Sequence, residues 1–368
     1  MLSKVFREFL FKNRAQAQNK LSACEGLFPG GNVVKPEFGC LGITDECMLR
    51  CKMCYKWQPD IFISEKDVNS YPSVDQYRKF LNELRELVDK EFVLNFGGGE
   101  ALLFEHIYEV IKIGSEYGFR TNLNSNGFLI DEQVARRLAD AGLENIKLSL
   151  DSVDSKIHDH MRGVKGVHER VLKAIDNLHK FAPKIRVALI SVIYEQTYRD
   201  FIPLIEWINN NEKIEHVLVM VAMQPNNTPE EKNWWNGKYE FLWPKDKKAV
   251  GRLIDELIEM KNKRYKINNS AAQLKAVKKY LEYPEKFVKK TTCNMDKAVH
   301  VSSIGQLFLC FNYGILGDIR NGDDLRKIWV SDKAQQVREK IKRCKKNCHF
   351  LINCFFEEDK IPSNLQNL

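Results

Sequence analysis

The chain has no long apolar run. The longest, such as 187–193 with its serine, fall far short of the roughly 20 residues that cross a bilayer, so no transmembrane segment is expected. The opening stretch from Met1 to Phe11 is interrupted by Lys4, Arg7 and Glu8. That breaks the apolar core a secretory signal needs, and the stretch reads instead as an amphipathic helix within an N-terminal helical extension, 1–36. Internal repeats and low-complexity tracts are also missing, which excludes solenoids and compositionally disordered chains. Charge of one sign is only mildly in excess: 57 basic residues against 49 acidic give a net +8. The basic residues are densest at 286–290 and 338–346, with no RRM, helix-turn-helix or arginine-rich arm beside them. They read as solvated helix faces, and no nucleic-acid partner is expected. Ten cysteines without an export signal point to reduced thiols and metal in a cytoplasmic protein rather than to disulfides.

What is present is grouped cysteine. Three lie at 47–54 and five at 293–354, while Cys24 and Cys40 stand apart and read as small buried thiols. Cys47-x3-Cys51-x2-Cys54 can wrap one cubane, each thiolate reaching a different iron. A four-iron cluster needs four ligands, so this motif leaves one iron open to do chemistry. A zinc knuckle would call for a second Cys-x2-Cys half, and none lies nearby.

A length of 368 residues accommodates a catalytic domain plus a smaller one. Apolar periodicity predicts strands at 40–44, 92–96, 120–124, 145–150, 185–193 and 216–221. Helices are predicted between them at 74–87, 104–117, 131–141, 167–181 and 199–209. Six strand–helix units with buried parallel strands make an α/β fold, an open (β/α)6 version of the β/α barrel, over 37–223. Sites in such barrels form at the C-terminal strand ends, where the cysteine motif falls. A turn-rich connector with Trp234, Trp235 and Trp243 follows, with helices at 247–262 and 271–281. The tryptophans are expected to hold an inter-domain contact rather than cap the site. The connector, 224–290, leads to a C-terminal unit, 291–368.

The cysteine spacing at 47–54 resembles that of the radical SAM superfamily. The resemblance implies that the open iron binds the amino and carboxylate groups of S-adenosylmethionine, and that one electron from the cluster releases a 5′-deoxyadenosyl radical. Met53 stands where the family often has an aromatic residue, with Tyr55 just after. The run Gly97-Gly98-Gly99-Glu100 after the second strand resembles the family's Gly-Gly-Glu motif. That implies a hold on the methionine amino group for Gly98, Gly99 and Glu100. Ser125-Asn126 resembles the ribose-contacting turn, and Ser149 with Asp151 the serine–aspartate strand end. Arg162 stands where related enzymes pair an arginine with the SAM carboxylate, a task suited to a bidentate guanidinium. His158 and His160 beside it read as loop residues.

The C-terminal cysteines resemble the SPASM/twitch extensions of this superfamily. A hairpin of 299–303 and 306–311, turning at Ile304-Gly305, can bring Cys293 and Cys310 together. Cys344, Cys348 and Cys354 follow. The resemblance implies a small hairpin-and-helix domain holding one auxiliary 4Fe–4S cluster. Cys293, Cys310, Cys344 and Cys348 are the first choice of ligands, with Cys354 as a replacement or a free thiol. Near the barrel mouth, that cluster could take up an electron left on the substrate.

The expectation is thus an enzyme with two 4Fe–4S clusters and S-adenosylmethionine, abstracting hydrogen from a small molecule such as a sugar, aminocyclitol or nucleoside, with net oxidation or epimerisation. An electron donor such as flavodoxin or ferredoxin is implied. Peptide or protein modification is the alternative, disfavoured because the 46 residues before Cys47 leave no room for a leader-binding winged-helix module. A non-catalytic iron–sulfur or zinc protein is the third reading.

Overall fold

The computed structural model describes residues 34–54, 56, 71–225, 228, 231, 233–290, 293 and 295–346. Residues 1–33 of the N-terminal extension, Cys24 among them, and the ligand candidates Cys348 and Cys354 lie outside the described residues.

Six parallel strands form the centre: β1 (Phe38–Thr44), β2 (Val93–Gly98), β3 (Arg120–Ser125), β4 (Asn145–Ser149), β5 (Arg186–Ile193) and β6 (His216–Val221). They neighbour one another in chain order, and β1 and β6 do not pair, so the barrel is open. Each strand sends alternate side chains outward under the helices. Leu94, Phe96, Ile146, Leu148, Leu189, Val217 and Val219 are all buried on that outer face.

The helices between the strands are α1 (Val74–Leu87), α2 (Ile107–Glu116), α3 (Glu132–Asp140), α4 (Ser155–Arg162), α5 (Val167–Phe181) and α6 (Phe201–Asn209). Helix α1 shows why these sequences become helices. Ser73 Oγ accepts from Gln76 N and Gln76 Oε1 accepts from Ser73 N, a reciprocal cap. Behind that cap, Tyr77, Phe80, Leu81 and Leu84 recur at helical spacing and are buried. Helix α4 departs from the expected loop. Asp154 caps it through Lys156 N, Gly163 ends it in the left-handed region, and it carries both His158 and His160.

After β6, α7 (Lys247–Asn262), α8 (Ala271–Glu282) and α9 (Pro284–Lys290) lead to the C-terminal strands. Trp234, Trp235 and Trp243 are buried in a ring-to-ring chain that continues through Tyr280 and Phe287. None of the three lines the cavity described below.

The expected hairpin forms from β7 (Ala298–Val301) and β8 (Gln306–Phe308), turning through Gly305, and β9 (Gly317–Asp318) adds a third antiparallel strand. Strand β7 also pairs in parallel with β1, so the nine strands of the described residues make one sheet. Helices α10 (Leu325–Val330) and α11 (Asp332–Lys342) close the chain's described part. Arg338 of α11 departs from the expected solvated face. It is buried, its guanidinium lies over the Trp329 ring, and it donates to the carbonyls of Trp329 and Asp296.

Candidate functional site

The motif Cys47–Cys54 occupies the loop leaving the C-terminal end of β1. Two neighbouring elements hold that loop by its backbone. From β2's end, Gly99 N donates to Thr44 O and Glu100 N donates to Glu46 O. From the other side, the loop donates to the last turn of α4, Arg50 N to Arg162 O and Lys52 N to Met161 O. Those are carbonyls a helix end leaves unpaired.

Close approach makes glycine necessary at these contacts. A Cβ on Gly99 would lie 2.1 Å from Glu46 O, and one on Gly98 would lie 2.2 Å from Thr44 O. The Cβ directions of Gly98 and Gly99 thus meet the cluster loop, not open space. Gly97 is different: its Cβ direction meets only Asn124 Nδ2, at 3.7 Å.

The loop and strand ends enclose a cavity of about 300 Å³. Its lining includes Cys47, Cys51, Cys54, Gly98, Gly99, Ser125, Asn126, Ser149 and Arg162 among the residues singled out in the sequence. Cys40, Lys56 and Asn124 also line it. Cys40 is therefore a fourth thiol of this cavity rather than an isolated core residue. It was legible only through alternation along β1, once the inward face was known.

Glu100 and Asp151 are fully buried and are not among the lining residues. Glu100 braces two strand ends. Its carboxylate accepts from Ser125 Oγ at 2.9 Å, Asn126 N at 2.8 Å and Leu102 N at 3.4 Å. Burial pushes its pKa up to about 7, against the pull of those hydrogen bonds. Asp151 accepts from Val192 N at 3.0 Å through Oδ1 and pairs with Arg162 at 2.7 Å through Oδ2. His158 Nδ1 accepts from Asp151 N, and burial, followed by Arg162 and His168, holds that ring well below its ordinary pKa. It is a neutral core histidine.

The donor set fits an anionic cluster and an anionic ligand. Burial pushes the Cys51 thiol up to about 11, and the Arg162 guanidinium beside it pulls the other way. Burial likewise raises Cys47, which accepts from Asn126 Nδ2 at 3.8 Å. Loading metal must therefore expel protons from buried thiols. Arg162 Nε is buried with no hydrogen-bond partner, in a residue that lines the cavity.

The second cysteine set lies elsewhere. Cys293 comes just before β7, and Cys310 just after β8, whose Phe308 faces His300. Cys40 also faces His300 across the β1–β7 ladder. Cys293 and Cys310 therefore lie level with the start of β1, while Cys47 follows its end, about 20 Å along the strand at 3.3 Å per residue. The register thus puts these two cysteines at the far end of the barrel from its mouth. Tyr313, which no motif marks, lies among Cys293, Cys310 and Cys344 and hydrogen-bonds to Cys344. Burial and those thiols raise its pKa. Among the described residues, no three His, Cys, Asp or Glu side chains converge on a single metal ion.

Comparison with known proteins agrees with this architecture. Residues 41–208 match the radical SAM superfamily, and residues 293–354 match the SPASM iron–sulfur cluster-binding domain. An Fe-coproporphyrin III synthase of Methanosarcina barkeri is 29% identical over 175 residues, covering 48% of this chain and 41% of that protein. A PqqA peptide cyclase of Bradyrhizobium diazoefficiens is 29% identical over 133 residues, covering 36% of this chain and 33% of its own. The chain spans about two fifths or less of the length of these relatives. In fold, it is similar to Streptococcus suis SuiB bound to S-adenosylmethionine. The TM-score is 0.63 at 17% identity, over 89% of this chain and 72% of that one. The chain belongs to the radical SAM superfamily and carries a C-terminal SPASM domain, and its cofactors are accordingly S-adenosylmethionine and 4Fe–4S clusters, one radical SAM and one auxiliary.

Proposed function

We propose that this chain is a radical SAM enzyme that takes a hydrogen atom from a small molecule held in the barrel, with net oxidation or epimerisation. When bound, the cluster and S-adenosylmethionine supply one electron and a 5′-deoxyadenosyl radical. The protein's own residues set the conditions for this. Cys47, Cys51 and Cys54 hold three irons and leave the fourth open. Arg162, fixed by Asp151 on one edge, offers its free Nε to an anionic group. Asn126 and Ser125 present polar groups to the ligand, and Glu100 keeps their strand end against that of β2. The β1 loop, docked on Gly99 and on α4, shields the site from water that would quench the radical. Cys293, Cys310 and Cys344, with Cys348 or Cys354, would hold the auxiliary cluster. A small reducing protein such as flavodoxin or ferredoxin would supply the electron, in the reducing cytoplasm that ten cysteines without an export signal suit.

The observation that carries this reading is the convergence on one cavity of three cysteines, a glycine strand end and an arginine with an unused buried donor. Peptide modification is the second reading, favoured by the likeness to the PqqA peptide cyclase. Anaerobic reconstitution tests the core claim. About eight irons per chain are expected in the parent, and about four when Cys47, Cys51 and Cys54 are all alanine. 5′-Deoxyadenosine should come only from the parent. Zinc in place of iron, or no deoxyadenosine from fully loaded protein, would refute it.

A further inference from the structure

The cavity at the strand ends holds one thiol that the cluster motif does not claim. Cys40 lies in β1 and lines the cavity together with Cys47, Cys51 and Cys54. Alternation turns it inward, since Leu41 beside it is buried on the outer face. Unlike Leu41, Cys40 is only half-buried, as a residue facing a cavity should be. Its neighbours across the ladders are Asn95 on β2 and His300 on β7. One inward position nearer the start of β1, Phe38 is buried and meets His300 edge to face, ring centroids 6.1 Å apart. The side of Cys40 away from the mouth is thus packed with rings, and its open side is the cavity.

Cys40 is not placed as a fourth cluster ligand. Cys54 acts electrostatically on both Cys47 and Cys51, and Cys47 acts on Cys51. Cys40 feels none of the three. Burial raises its pKa to about 11, and among the described residues the charge that opposes this is Lys56, also of the cavity lining. The thiol therefore stands apart from the cluster loop, across the cavity, and remains protonated near neutral pH. Outside the motif, no other lining residue is a cysteine, tyrosine or tryptophan.

We propose that Cys40 is the hydrogen-atom donor of this site. It returns hydrogen to the substrate radical on the face opposite the one that the deoxyadenosyl radical attacks, so the net reaction is epimerisation. This rests on the hydrogen abstraction proposed above and chooses between its two outcomes. An S–H bond is weaker than an aliphatic C–H bond, so transfer from a thiol to a carbon radical runs downhill. The substrate C–H bond breaks on one face as 5′-deoxyadenosine forms. The Cys40 S–H bond then breaks as the new C–H bond forms on the other face, leaving a thiyl radical on Cys40. One electron from the small flavin or iron–sulfur reductant and one proton from solvent restore the thiol. Each turnover consumes one S-adenosylmethionine and two electrons, and leaves the composition of the substrate unchanged.

The test needs no substrate. With the cavity otherwise empty, the deoxyadenosyl radical meets this thiol directly, and a thiol exchanges its hydrogen with solvent while carbon does not. Reconstituted holoenzyme is given S-adenosylmethionine and titanium(III) citrate in D2O, and the 5′-deoxyadenosine is analysed by mass spectrometry. The parent is expected to form deoxyadenosine carrying deuterium at C5′. Cys40→Ala and Cys40→Ser, loaded to the same iron content, are expected to lose that label. A serine O–H keeps the size of the side chain but is too strong to give up a hydrogen atom. On the parent holoenzyme, alkylation of Cys40 by iodoacetamide at pH 9, read by peptide mass, should be slowed by S-adenosylhomocysteine. Unlabelled deoxyadenosine from the parent, equal label in the variants, or a Cys40 whose alkylation S-adenosylhomocysteine leaves unchanged would overturn the proposal. A parent that forms unlabelled deoxyadenosine loses only the Cys40 step, whereas one that forms none loses the radical reading as well.

Discussion

At the scale of single residues, the decisive pair is Asp151 and Arg162. Burial alone would push the guanidinium's pKa down, and Asp151 and Cys51 beside it hold it above its ordinary value. A buried pair of this kind costs most when half of it is removed. Asp151→Ala should destabilise the apo protein by about 3–5 kcal/mol, because an uncompensated cation is left inside. Asp151→Asn combined with Arg162→Met should recover much of that loss in urea unfolding. If the double variant is as unstable as the single one, the pair is not what holds this corner. His300 makes a second prediction. It stacks on Phe308 with centroids 5.4 Å apart, and its Nδ1 hydrogen-bonds to Leu309 O. Burial pushes its pKa down to about 4 against that hydrogen bond. The unfolded chain thus binds the proton first as pH falls. The stabilisation is complete above about 6.5 and is lost as pH drops toward 4, on the order of 3 kcal/mol at most. The urea midpoint of the apo protein should fall between pH 7.5 and 5. The fall should be shallower in His300→Phe; parallel slopes would assign it to other groups.

At the scale of elements, α4 shows how a helix end serves as a platform. Its cap at Asp154 starts it, Gly163 ends it with φ of 71°, and its last carbonyls receive the cluster loop. A Cβ on Gly163 would stand 2.1 Å from Arg50 O. Gly163→Ala should push the loop away and lower the iron held by the Cys47 set, while the secondary structure seen by circular dichroism stays near that of the parent. Unchanged iron content would mean that the loop accommodates elsewhere. Helix α1 is a control without any link to the chemistry. Ser73→Ala removes half of a reciprocal cap and should cost about 1 kcal/mol with no effect on iron.

At the scale of the whole molecule, the C-terminal strands are part of the barrel's sheet. Strand β7 covers the edge of β1, and Ser303 Oγ donates to Asp45 Oδ2 at 2.5 Å, tying the hairpin turn to the cluster loop. Asp45 also pairs with Lys56 of the cavity lining. Removing residues 291–368 would expose β1 as an unpaired edge, which invites association. The truncated protein should elute as aggregate in size-exclusion chromatography and unfold at lower temperature; a stable monomer would make the two units independent.

The local signals lay in the sequence because they are set by spacing and caps. Three cysteines at intervals of four and three, the alternation of β4 and β5, and the helical recurrence of Tyr77, Phe80, Leu81 and Leu84 are properties of short segments. They named the family, the open barrel and most of the strand ends without any coordinate. What lay beyond them needed distant segments brought together. Gly98 and Gly99 are glycine because the backbone of residues 44–46 packs against them. Glu100 braces, and Arg162 is already paired, because β3 and Asp151 stand where folding puts them. Helix α4 escaped detection because its histidines looked like loop polarity until His158 was seen to be buried. Cys40 joins the cavity and β7 seals β1 for one reason. Strand pairing fixes which face of each strand turns inward and which edges meet, and that pairing is decided between segments up to 260 residues apart in the chain.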